Sequence, residues 1–239
     1  MSTSSMSNYT ETAEDYLIVT HAVPIERVWT YVPEELELDT VMLPNGTEAA
    51  LVSVVCLLHR GMKWEDQDSP LDFHQCTYQT CVRRGGEPGV YVFGTFVESG
   101  FPSIMRRIGI SNACFADFEI SISYDDEKRT YNALQCEVLS DEGDTLIEIE
   151  SDEAVPIDRD AARFVTDRRN AYFTMQDGVL GFARSEFTSM EPSAVKLLDA
   201  EFELWEEMEI LREEEFLSPY SVLIQPSIEI KGSSPERLD

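Results

Sequence analysis

A chain of 239 residues, 43% of them hydrophobic, can bury a substantial core, and it contains no run of about 18 apolar residues that could cross a membrane as a helix. Its formal charge of −28 repels phosphate backbones and anionic lipid, so neither nucleic acid nor membrane is an expected partner. Five cysteines with no C-x-x-C pair, and three histidines without ligand spacing, argue for reduced, mostly buried thiols in a cytoplasmic protein and against a metal site. Only Lys63, Lys128, Lys196 and Lys231 are lysines. The acid excess fits either a salt-rich cytoplasm, where screening relieves self-repulsion, or an ordinary acidic protein with solvated charges.

Residues 1–13 are rich in Ser and Thr, lack a basic cluster or apolar segment, and are expected to form a disordered tail. Tyr16 to Thr20 is a compact β-prone run. Pro24 suits a first helical turn, and Ile25, Val28 and Trp29 recur at helical spacing before Pro33. Val41 leads into the turn Asn45-Gly46, after which Glu48 to Leu58 is apolar and β-branched enough for a buried strand. The polar stretch Arg60 to Leu71 reads as a long surface loop able to cover something. Phe73 to Val82 and Val90 to Val97 form a hairpin around a Gly-Gly and Pro-Gly turn.

Pro102 to Ile110 fits a short helix. Phe115 to Ile122, Tyr131 to Val138 and Thr145 to Ile149 then alternate as an antiparallel meander with one wet and one dry face. Asp158 caps a helix running to Arg168, and Val179 to Phe187 is a strand. Ala194 to Glu215 reads as a strand first and a helix from about Leu204. Ser221 to Lys231 is a last strand, and residues 233–239 are expected to be a disordered tail. With no repeat and no linker, residues 14–232 are expected to form a single α+β domain dominated by antiparallel strands.

The string Tyr16 to Thr20, followed at its own spacing by Val32 to Asp39, resembles the opening of acetoacetate decarboxylases. The hairpin Val82 to Tyr91 and the string Gln225 to Ile230 look more like an uncharacterised relative of those enzymes, and the resemblance spans about residues 14–232. It implies a curved antiparallel sheet closing into a cone around an internal, partly apolar cavity that holds a small-molecule ligand. Decarboxylating members use a lysine that forms a Schiff base, beside a second lysine that lowers its pKa, because an amine near about 10.4 is protonated at neutral pH. Asn112 and Ala113 occupy those two positions here, Gln75 stands where a pocket carboxylate belongs, and Ala22 stands where an arginine belongs. The resemblance therefore implies the fold without the imine chemistry.

Gln75, Thr77 and Gln79 alternate along one strand and point to one side, His74, Cys76 and Tyr78 to the other. The first three are either a ladder of neutral groups facing a ligand's carbonyl or hydroxyl groups, or an exposed face. Arg106 or Arg107 could take a substrate carboxylate, or both could be surface residues. His74 is the candidate proton carrier and Asn112 a candidate donor to developing oxyanion charge. Two readings stay open: an enzyme acting on a carbonyl compound without a Schiff base, by enolisation, hydration or dehydration, or cyclisation, and a noncatalytic small-molecule binder on the same scaffold. No cofactor is expected, and homo-oligomerisation is left open.

Overall fold

The computed structural model describes residues 8–65, 69–98, 100–101, 105, 113–128, 130–151 and 157–238. Long strands dominate, because β-branched and aromatic residues recur with a period of two along most of the chain. β1 (Asn8–Val23) precedes two single turns of 3-10 helix, Ile25–Arg27 and Trp29–Tyr31. The short strands β2 (Glu37–Leu38) and β3 (Thr40–Met42) lead into β4 (Glu48–Trp64), β5 (Leu71–Arg84) and β6 (Glu87–Val97). β7 (Ala113–Phe115) is followed by β8 (Asp117–Asp125), β9 (Thr130–Leu139) and β10 (Thr145–Glu150). Helix α1 (Arg159–Thr166) then precedes β11 (Asn170–Thr174) and β12 (Leu180–Phe187). β13 (Ser193–Ala194), β14 (Lys196–Phe202), α2 (Glu203–Glu207), β15 (Ser221–Ser233) and β16 (Glu236–Arg237) complete the order.

Seven strands form a ring in the order β15-β1-β4-β5-β6-β11-β12, closed by pairing of β12 with β15. Closure removes the exposed edges that so many strands would otherwise present. Most pairs are antiparallel; β11 joins β6 in parallel. A second sheet, β14-β10-β9-β8, packs on the outside of the ring. Its dry face, including Leu134, Cys136, Ile147 and Ile149, meets Cys56, Cys76 and Tyr78 from the ring in the largest core cluster. All five cysteines are free thiols, and only Cys114 is not fully buried. This is the expected α+β cone of curved, mainly antiparallel sheet with a few short helices.

Several local expectations are corrected. The stretch read as a loop from Arg60 is strand as far as Trp64, because Met62 and Trp64 are buried while Lys63 and Glu65 face water. An alternating edge looks polar when only its composition is read. The helical reading of 24–33 reduces to the two 3-10 turns. The segment 170–174, not foreseen as a strand, is β11. The expected N-terminal tail is strand from Asn8 onward, paired with β15 and β4, and the expected C-terminal tail contains β16, paired with β12. The helix expected over Pro102 to Ile110 lies largely outside the described residues, as do Arg106, Arg107 and Asn112.

Two bulges decide which side chains enter the ring. Thr10 pairs with Lys63 and Thr12 with Arg60, so Gly61 and Met62 together face Glu11 alone. Gly61 sits at φ +65°, a conformation that glycine adopts without steric cost. Asp72 from β5 accepts its N–H at 2.6 Å and also accepts from Arg60 at 2.9 Å. Between Glu14 and Leu17 a second irregularity contains Asp15 at φ 52°, whose carboxylate accepts from the Tyr131 hydroxyl at 2.6 Å. It shifts the alternation by one, so Tyr16 and Ile18 face inward alongside Tyr9 and Glu11.

Candidate functional site

Inside the ring lies a cavity of about 230 Å³. Its apolar wall comes from alternate residues such as Val55 and Leu57 of β4, Val92 of β6 and Phe173 of β11. Gln75, Thr77 and Gln79 all line it, placed there by the period of β5. Gln75 Nε2 donates to Thr77 Oγ1 at 3.0 Å, leaving a second amide hydrogen on Gln75 and the Thr77 hydroxyl hydrogen for other partners.

The strongest polar feature of the wall is a pair that sequence reasoning missed. Ala13 on β1 is opposite His59 on β4, and Glu11, two residues from Ala13 on the same face, reaches diagonally to the imidazole. Glu11 Oε2 lies 2.5 Å from His59 Nδ1. The side chains are 2% and 9% exposed, so the pair is withdrawn from bulk water. Phe73 stacks on the imidazole with ring centroids 4.4 Å apart. The other ring nitrogen, Nε2, is buried and has no hydrogen-bond partner among the described residues. A carboxylate on Nδ1 fixes the proton there in the neutral ring and leaves Nε2 with a free lone pair.

Two phenols flank Glu11. Burial, then the nearby Glu11 charge, pushes Tyr16 up to about 12. The same two causes raise Tyr9 further, although a hydrogen bond with Ser185 opposes them. Both are therefore neutral hydrogen-bonding groups at ordinary pH. Tyr9 lies over Gly232, where a Cβ would come within 2.0 Å of its ring, so the glycine makes room for the phenol.

Cationic groups also reach the cavity, despite the acidity of the chain. After α1, capped by the Asp158 carboxylate accepting from the N–H groups of Asp160 and Ala161, the chain turns through Arg168 and Arg169. Arg168 is neutralised by the buried carboxylate of Asp39, which also accepts from Arg83 Nε at 2.7 Å. Arg169 donates to the Phe187 carbonyl at 2.9 Å and lies 4.8 Å over the Phe187 ring. It has no carboxylate partner among the described residues.

His74 faces away from the cavity. Its Nδ1 lies 2.9 Å from Glu98 Oε1, and its ring stacks on Phe118 of the outer sheet. Ala113, at one of the two lysine positions implied by the resemblance, is buried beside Thr95 on β7. All four lysines are exposed, and none lines the cavity. Among the described residues no three His, Cys, Asp or Glu side chains converge as they would around a metal ion. No described helix is long and apolar enough to cross a membrane.

What hid the pair is plain from its setting. Glu11 falls in a polar segment that composition assigns to a tail, and nothing local marks it as buried. His59 carried a usable signal, since it continues the inward face set by Val55 and Leu57. Arg169 follows a capped helix and carries no mark of its own.

Comparison with known proteins agrees with the geometry at the level of fold. The acetoacetate decarboxylase of Legionella pneumophila subsp. pneumophila str. Philadelphia 1 superposes with a TM-score of 0.59 at 13% identity, covering 97% of this chain and 87% of that one. The enduracididine biosynthesis enzyme MppR, complexed with pyruvate, gives 0.59 at 12% identity over 100% of this chain and 92% of its own. An acetoacetate decarboxylase-like enzyme from Sphingomonas wittichii RW1 gives 0.59 at 10% identity, with 97% and 92% covered. No curated protein matches the chain. The resemblance read in the sequence is thus borne out as a shared fold in a divergent chain. Residues 10–228 match the model of DUF2071, described as an uncharacterized conserved protein, and the chain belongs to that family.

Proposed function

We propose that the protein is an enzyme acting on a small carbonyl compound held in the ring cavity, without a covalent imine. One observation carries this reading: the cavity wall holds buried ionisable groups, while all four lysines of the chain face water. Imine formation needs an amine beside the carbonyl, and no lysine lines the cavity. Proton transfer needs only an acid or base within hydrogen-bond reach.

The remaining wall groups suit a keto acid. Gln75, Thr77 and Gln79 offer neutral donors to a carbonyl oxygen, and Arg169 offers an unneutralised guanidinium to a carboxylate. The MppR relative, complexed with pyruvate, supports a ligand of that size and chemistry on this fold. Amides and hydroxyls alone would equally serve a binding protein; the buried carboxylate–imidazole pair favours catalysis.

Borohydride trapping tests the reading. The full chain is incubated with pyruvate, reduced, and weighed intact by mass spectrometry. An unchanged mass is expected, and a stable adduct on any lysine overturns the proposal.

A further inference from the structure

We propose that His59 Nε2 is the group that moves the proton and that Glu11 is its positioning residue. This rests on the non-imine reading and assigns the chemistry within it. A ring nitrogen that is buried, unpartnered among the described residues, and set in a cavity wall is an expensive arrangement to keep unless a ligand completes it. Glu11 supplies what a histidine base requires: it holds the proton on Nδ1, keeps Nε2 free, and stabilises the imidazolium once Nε2 has taken a proton. The Gly61 bulge lies beside His59 on β4, is clamped by Asp72 from β5, and sets Glu11 and His59 against each other.

The reaction class that follows is enolisation at a carbon next to the carbonyl. Nε2 takes a proton from that carbon. The C–H electron pair becomes the new carbon–carbon π bond, and the carbonyl π pair moves onto oxygen, which accepts hydrogen bonds from the Gln75–Gln79 ladder. The imidazolium N–H exchanges with solvent, a solvent-derived proton is returned to carbon, and the carbonyl re-forms. Nothing is oxidised or reduced and no co-reactant is consumed. Tyr9 and Tyr16, held neutral, are further hydrogen-bond donors and do not compete with His59 as bases.

The test is exchange of the pyruvate methyl protons for deuterium in D2O, followed by proton NMR with the full chain. The wild-type protein is expected to accelerate exchange above the buffer rate, and His59→Gln to lose about 100-fold or more of that acceleration. Glu11→Gln should lower kcat for exchange about 10-fold while leaving KM nearly unchanged, because the ring is no longer held in the reactive tautomer. Glu11→Asp should recover part of that kcat. Nitrogen-15 NMR of the wild-type histidines gives a readout that survives if a variant fails to fold: His59 is expected to be protonated on Nδ1 and unprotonated on Nε2 when neutral. Wild-type exchange no faster than buffer, exchange that survives in His59→Gln, an unchanged kcat in Glu11→Gln, or the opposite tautomer each overturns the assignment. Failure here with an unchanged mass after borohydride leaves the non-imine reading standing, whereas a trapped adduct removes both.

Discussion

The ring carries two histidine–glutamate pairs on neighbouring strands, and their settings differ sharply. His59 and Glu11 lie inside the ring, with side chains 9% and 2% exposed and the imidazole stacked on Phe73. His74 and Glu98 lie on the outer side, 29% and 38% exposed, beside Phe118 of the second sheet. The chemistry is the same and the dielectric is not. In the wet pair, water competes for each group and screens the charge. In the dry pair the hydrogen bond is stronger, and the loss of either partner leaves a polar group with nothing to replace it.

The largest expected effect breaks this comparison on activity. His59→Gln should reduce carbonyl-dependent proton exchange by about 100-fold or more, while His74→Gln should leave it close to wild type, as read by NMR exchange rates. Equal losses would mean that the two faces are functionally alike. Stability comes next. Glu11→Ala should destabilise the protein by about 2–3 kcal/mol by stranding a buried imidazole, against less than about 1 kcal/mol for Glu98→Ala, both measured by urea unfolding.

Gly61 sharpens the comparison from the backbone side. At φ +65° with open space around it, a methyl group meets no clash but must adopt a left-handed conformation, so Gly61→Ala should cost about 1 kcal/mol. If the bulge aims the dry pair, this variant should also slow exchange without altering the His74–Glu98 pair. Asp72 tests the same bulge through pH. The Gly61 N–H and the Arg60 guanidinium hold its carboxyl below the usual range. Its folded value is thus lower than its unfolded one, so its contribution is present above about pH 4 and disappears as pH falls through the folded value. Asp72→Asn lacks that contribution throughout. The stability gap between it and wild type should therefore be open at neutral pH and close in acid, by unfolding at several pH values.

The framework of this fold was legible because long strands with strict alternation announce themselves. Glu48 to Leu58, the Phe73 hairpin and the three-strand meander needed only periodicity and turn residues. The inward face of Gln75, Thr77 and Gln79 followed from the same period. What could not be read were the places where the period breaks. Asp15 and Gly61 each reset which residues face inward, and neither bulge follows from local propensity. Burial of Glu11 depends on β15 and β4 closing over it, contacts more than 40 residues away in sequence. His74 stood out as a proton carrier because it is next to the polar ladder; adjacency along a strand is what puts it on the opposite side.

A crystal structure of the full chain with pyruvate would test the central claim most directly. A noncovalent ligand is expected, with its carbonyl oxygen at the Gln75–Gln79 ladder and its methyl carbon within hydrogen-bond-like reach of His59 Nε2. A ligand bonded to a lysine nitrogen, or one seated away from His59, would contradict it.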